Sequence, residues 1–263
     1  MVLTATKGAV GFLTRIPTGR SEEAWVAFSE TPTAFPLAGW VVGLLSAVPL
    51  LGAVLTARTL GPVPAPTVAF GYLLAVYAVT GINHADGVAD LGDAAVVHGD
   101  PDDRRDVLKD TEVGVGAVLA LGAVLVGLGL AGLALADAPP VAPPTAAVGV
   151  PVAVGIAVSA EVGAKFGMAA LACLGSPAFE GLGSAFTDNA PTALVAPALA
   201  AVPVGLLGVP AIAALAGAVA TAMALLGWSR ANLGGVNGDV FGAANELGRI
   251  AGLHLGVVAW TLS

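Results

Sequence analysis

The chain has 263 residues, of which 57% are hydrophobic and only 11% charged, whereas a soluble domain of this length would carry roughly a quarter charged residues. Its formal net charge is −8, and half of its 18 acids fall between Asp86 and Glu112. The composition excludes an ordinary soluble domain, and acidity confined to one stretch argues against a nucleic-acid partner.

A single cysteine, Cys173, leaves no intrachain disulfide and no cysteine-based zinc site, and reads as a small buried hydrophobe. The 36 glycines, with abundant alanine, suit membrane helices that pack closely through small side chains. The expected fold is all-α: a polytopic integral membrane helical bundle in which residues 1–263 form one domain.

In chain order, residues 1–35 read as an interfacial amphipathic segment with Phe12, Leu13, Trp25 and Phe28 as its apolar contacts. They lack the continuous apolar core and cleavage site of a secretory signal. Apolar stretches follow at 36–56, 67–83, 113–136, 145–164, 191–207 and 211–228, with a shorter one at 250–262. A bilayer core needs roughly 20 helical residues, so the second, fifth and last are short, and about six to eight spans are expected. Residues 163–180 and 239–249 are available to lengthen their neighbours, and Gly208-Val209-Pro210 marks a tight turn. Lys7, Arg15 and Arg20 precede the first stretch, and Arg104, Arg105 and Lys109 fall in the next loop on that side. Lys165, Arg230 and Arg249 join them if the spans alternate, leaving Arg58 alone opposite. The positive-inside tendency then directs the N-terminus and the segment from His84 to Asp93 toward the cytoplasm, in the plasma membrane.

That segment reads His84-Ala-Asp86-Gly-Val-Ala-Asp90-Leu-Gly-Asp93 and follows the second stretch directly. Spacings of four and then three stack the three carboxylates on one helix face. Like charges at a bilayer boundary repel and are costly to dehydrate, and Mg²⁺ would remove both penalties while sharing its shell with phosphates. His84, within two residues of Asp86, is a candidate ligand or acid–base group. The plainer alternative is a solvated acidic helix start. In the next loop Asp106 and Arg105 stand at helical spacings from Lys109, as on a solvated helix. Lys109-Asp110 lies at the mouth of the third stretch, where a cation could meet a phosphate and a carboxylate a metal.

The second constellation is Gly234-Gly235-Val236-Asn237-Gly238-Asp239, followed by Gly242-Ala243-Ala244-Asn245-Glu246. Gly235 and Gly238 let the backbone approach a ligand and aim N–H groups at its oxygens. Asp239 and Glu246, seven residues apart, share a helix face, with Asn245 alongside. Close helix packing with solvated caps is the alternative. The two acidic signatures are expected to build a single site, with carboxylates about 3–6 Å apart around a metal-bound diphosphate. Glu161 and Lys165 form an i, i+4 pair in an apolar stretch, where ionisable groups pair and often mark a site. These pieces suit metal-assisted phosphoryl transfer. Neither a Walker A loop nor a nucleophile elbow is present.

Read together, these blocks resemble the cobalamin synthase family, the adenosylcobinamide-GDP ribazoletransferases. The matches run nearly end to end: Thr14-Arg15-Ile16-Pro17; Phe35-Pro36-Leu37 with Gly39; Thr80-Gly81 and the His84 to Asp93 signature; Arg105 through Lys109-Asp110 with Gly114 and Gly116; Glu180-Gly181-Leu182-Gly183; and Gly234 through Leu247. The chain departs from the pattern at Ile82, Asn83 and Ala94, and at Ala160-Glu161, where many members carry an Arg after the serine; Lys165 is the nearby basic residue. The resemblance implies that a ribose hydroxyl of α-ribazole, free or 5′-phosphorylated, attacks the cobinamide-side phosphorus of adenosylcobinamide-GDP and releases GMP. It implies Mg²⁺ as cofactor, and Asp86, Asp90, Asp93 and Asp239 as metal or base carboxylates. Arg105 and Lys109 would be phosphate contacts, with Asp110, Gly235, Gly238, Asn245 and Glu246 also at the substrate. A membrane alcohol phosphotransferase would use similar chemistry, but its Asp-x-x-Asp-Gly order is absent. An ion-coupled transporter would hold its acids nearer the midplane. The residues leave the oligomeric state open.

Overall fold

The computed structural model describes residues 1–19, 21–110 and 112–263; Arg20, counted above among the basic residues, lies outside them. Helix α1 (Val2–Leu13) and helix α2 (Glu22–Ser29) form a hairpin at one end of the bundle. The Ser21 hydroxyl caps α2 by accepting from Ala24 N, and Glu22 and Glu23 complement its dipole. The expected apolar residues of this segment pack onto the bundle. Leu13 and Phe28 are buried against the protein, and Phe12 and Trp25 pack with Phe28 and Phe186.

Helices α3 (Ala34–Ser46) and α4 (Val48–Thr59) run on through Ala47 as one crossing, with Pro49 in the first turn of α4, where a missing N–H costs least. Helix α5 (Ala65–Thr80) returns and ends at Gly81, whose φ of 71° lies in the left-handed region that favours glycine. The chain there bends by 96° into α6 (Asn83–Val96), which leaves the line of α5 and lies across the end of the bundle. Helix α7 (Pro101–Val107) starts at a capping box between Asp100 and Asp103. Next come α8 (Val115–Ala136) and α9 (Val152–Leu174). Prolines then break up the 191–207 stretch, leaving α10 (Val195–Ala201) between two 3₁₀ turns. Helices α11 (Val209–Asn232) and α12 (Gly238–Thr261) complete the bundle.

Hydrogen bonds between connections define two ends. Arg15 N donates to Val79 O, Ala178 N to Val236 O and Arg230 to Leu174 O at the end that carries α6 and α7. Arg58 reaches Pro140 O, Ala147 N reaches Leu206 O and Val209 N reaches Thr145 Oγ1 at the other. Among the described residues four helices are long and apolar enough to cross a membrane by themselves, or five if the bent α5–α6 pair counts as one. The short α5, the proline-broken stretch and α12 also run between the ends, which agrees with the expected span count. Residues 239–249 do extend the last stretch, into the 24-residue α12, and α9 runs on to Leu174.

Helix α9 is the axis of the bundle: from Val152 to Cys173 every residue but Phe166 is buried, against α3, α11 and α12. This corrects the charge count. Lys165 and Arg249 are not loop cations but fully buried side chains, each paired with Glu161. An ionisable group at that depth persists only with a partner, so neither bears on orientation.

Candidate active site

The two acidic signatures meet where α6 crosses the start of α12. Gly87 makes the crossing possible: a Cβ there would lie 2.7 Å from the Asp239 carbonyl oxygen and 2.9 Å from its Cα. Around this contact lies a cavity of about 290 Å³ whose wall includes Asn83, His84, Asp86, Gly238 and Asp239. Phe12, Phe35, Phe186 and Phe241 line it too, with Phe35 and Phe241 stacked at 6.3 Å.

The carboxylates differ in surroundings. Asp86 occupies the first turn of α6, is exposed, and receives no hydrogen bond from any described protein group. Asp239 is held by Asn237, whose Nδ2 donates to its Oδ2 at 2.7 Å while Oδ1 caps α12 through Val240 N. Burial, and then the charges of Asp239, Asp86 and Asp93, push the Asp90 carboxyl up to about 6. Asp93 is engaged elsewhere: its two oxygens accept from Gly114 N and Ala117 N at 2.8 and 2.9 Å and cap α8.

His84 is buried, and Asn245 Nδ2 lies 3.1 Å from its Nδ1. An amide nitrogen only donates, so Nδ1 accepts and the proton is on Nε2. Burial, and then the positive charges of Lys165 and Arg249, hold the imidazole down at about 3. The ring is tied to Asn245 of α12.

Other expected contacts lie outside the cavity. Asn245 and Glu246 are buried beneath it: Asn245 donates to Glu246, and Glu246 accepts from Arg249. Gly235 is packed against the backbone of Ser176 and Ala178, with no room for a Cβ. Arg105 donates to Leu233 O at 3.0 Å and pairs with Asp102, tying α7 to the start of the glycine turn. Lys109 pairs with Asp106 at 3.1 Å, and Asp110 accepts from Glu112 N; Lys109 and Asp110 are exposed just past the end of α7. Of the glycines in the second constellation, Gly238 and Gly242 line the cavity. Unforeseen were its aromatic wall, Asn83 and Asn237, and the Arg249 network below. Asn237 had a legible signal, an Asn at an N-cap before an apolar helix.

The fit of a divalent cation follows from the donor set. Among the described residues no three His, Cys, Asp or Glu side chains converge on a metal-binding point. Mg²⁺, however, is commonly held by one or two carboxylates plus substrate phosphates and water. Asp86 and Asp239 on one cavity, with Asp90 near enough to feel both charges, fit an ion that arrives with a diphosphate.

Fold and site together define an integral membrane protein with an acidic, aromatic-walled cavity at one end of its bundle. The family described as cobalamin-5-phosphate synthase matches residues 5–257, and the chain belongs to it. An adenosylcobinamide-GDP ribazoletransferase of Halorubrum lacusprofundi is 51% identical over 99% of both chains. Its namesake in Halobacterium salinarum is 56% identical over 77% of this chain and 98% of its own, and that of Methanosarcina barkeri 34% over 99% and 94%. No solved structure matches the chain.

Proposed function

We propose that the chain transfers the adenosylcobinamide phosphate of adenosylcobinamide-GDP to α-ribazole or its 5′-phosphate. A ribose hydroxyl of the acceptor attacks the cobinamide-side phosphorus and the bond to the bridging oxygen breaks. GMP leaves, and adenosylcobalamin or its 5′-phosphate forms. One observation carries this reading: in a chain of this family, Asp86 and Asp239 line a single cavity at the end of the bundle.

Asp86, with no donor to its oxygens among the described residues, is the carboxylate free to take the hydroxyl proton. Asp239, fixed by Asn237, keeps a defined position while the diphosphate is bound. His84 and Asn245 brace α6 from below, which holds Asp86 in register with Asp239. Mg²⁺ is the proposed cofactor; held by Asp86 and Asp239 with Asp90 adjoining, it would neutralise charge on the diphosphate. The single domain would lie in the plasma membrane with this end toward the cytoplasm. Lys7, Arg15, Arg104, Arg105, Lys109 and Arg230 support that orientation, opposite Arg58.

The test uses purified protein in detergent with adenosylcobinamide-GDP and α-ribazole 5′-phosphate, with Mg²⁺ or with EDTA. The expected result is GMP and the cobalamin product in equal amounts, only with Mg²⁺. GMP without a corrinoid product would overturn transfer, and equal rates in EDTA would overturn the metal requirement.

A further inference from the structure

A second cavity, of about 560 Å³, adjoins the first and shares Phe12 and Asn83 with it. The two differ in charge. The smaller one has Asp86, Asp239 and the neutral His84 but neither Lys nor Arg among its described lining residues. Among its described lining residues the larger has Arg15 and neither Asp nor Glu, with the hydroxyls of Thr18 and Ser21 around it. Among the described residues no carboxylate pairs with the Arg15 guanidinium.

Local chemistry places Arg15 firmly. The Thr14 hydroxyl donates to Val10 O and accepts from Ile16 N at 3.0 Å, which turns the chain out of α1. Arg15 N donates to Val79 O at 2.7 Å, and its stem runs over Gly81, where a Cβ would lie 3.3 Å from Arg15 Cγ. The cation is therefore anchored at the α5–α6 bend, two residues before Asn83.

Size and shape sort the ligands. A cavity of about 290 Å³ is at the small end of ligand sites, far too small for a corrin macrocycle but of nucleoside scale. Its phenylalanine wall suits the faces and edges of a flat heteroaromatic base. With the donor's diphosphate and its cation placed at Asp86 and Asp239, a second phosphate that brings no cation is repelled there, whereas a guanidinium and hydroxyls are its ordinary partners. The geometry points to a two-part acceptor site: the aromatic cavity takes the base and ribose of a nucleoside, and Arg15 takes its 5′-phosphate in the adjoining cavity. Arg15 thereby sets the preference for a phosphorylated acceptor. This inference rests on the transfer reaction proposed above.

The experiment compares kcat/KM for α-ribazole 5′-phosphate and for α-ribazole in the wild type, Arg15→Met and Arg15→Lys. The ratio of the two values should fall roughly tenfold or more in Arg15→Met, the scale of a lost charged hydrogen bond, and less in Arg15→Lys. In the wild type the ratio should also fall as KCl is raised, because an exposed phosphate contact is screened by salt. That measurement stands if Arg15→Met is not recovered folded. A ratio unmoved by both the substitution and salt overturns the role of Arg15 while leaving transfer intact. Absence of product from either acceptor in the wild type overturns the transfer reading, and this inference with it.

Discussion

Glu161 on α9 and Arg249 on α12, 88 residues apart in sequence, form an ion pair in which both side chains are fully buried. Lys165 pairs with the same carboxylate and Glu246 with the same guanidinium, so two acids and two bases share one enclosed network. Tyr77 approaches Glu246 at 3.5 Å, and Asn245 extends the chain of contacts to His84 beneath the cavity. Taking one acid out of a neutral buried set leaves uncompensated positive charge. Glu161→Ala should cost about 3–5 kcal/mol, measurable as a lower unfolding midpoint in detergent. The double change Glu161→Gln with Lys165→Met, which removes one charge of each sign, should cost less than the sum of its single changes. Additive losses would mean that the four groups do not act as a set.

The Gly87 contact supplies a second test. Gly87→Ala puts a methyl 2.7 Å from the Asp239 carbonyl oxygen, and the obstacle is backbone, so α6 and α12 must part. A shift of about 1 Å at reacting groups costs on the order of 100-fold in rate, so activity should fall much further than thermal stability. Gly122→Ala, on an α8 face with nothing within 4 Å, is the control and should leave both close to wild type. Normal turnover in Gly87→Ala would show that this crossing does not set the site.

The legible and illegible parts of this site divide along range of interaction. Asp86 and Asp239 stood out because each is a carboxylate placed where an apolar stretch begins or ends, a local pattern. Arg105 and Lys109 looked available for phosphate, yet Asp102 and Asp106, three residues upstream of each, engage them locally. Glu246 lies two turns beyond Asp239 on α12, with Asn245 beside it. What α9 presents to that face, Glu161, decides that they turn inward, and no local pattern carries such long-range information. The aromatic wall is assembled from α1, α3, α12 and the 3₁₀ turn at Phe186, so no single segment announces it.

Asp90 gives a prediction with a defined sign. Its carboxyl is raised from an ordinary 3.8 to about 6 in the folded chain, so unfolding favours ionisation. As pH climbs through that window the folded state loses stability, and above it carries the full penalty of an ionised Asp90. Asp90→Asn should therefore unfold at a higher temperature than wild type at pH 7.5 in EDTA, and show little difference at pH 4. Added Mg²⁺ should shrink the advantage at pH 7.5 if the cluster binds it. A lower midpoint for Asp90→Asn at pH 7.5 in EDTA would contradict the like-charge account.

The last prediction concerns proton acceptance. Asp86 lies in the first turn of α6 and lines the cavity, and among the described residues it has no protein donor. It is not part of the buried network or of a helix cap, so Asp86→Asn preserves shape and removes only a charge and a basic oxygen. The variant should keep the wild-type unfolding midpoint to within a degree or so, or exceed it, since like-charge repulsion with Asp90 is relieved. Transfer should drop by about 100-fold or more, the scale of a lost general base, measured as GMP release at saturating Mg²⁺ and both substrates. Asp239→Asn is the companion. Because Asp86 is proposed to serve the proton as well as the metal and Asp239 the metal alone, raising Mg²⁺ should recover part of the Asp239→Asn rate and far less of the Asp86→Asn rate. Near-normal turnover in Asp86→Asn would remove it from the chemistry and leave Asp239 as the candidate base.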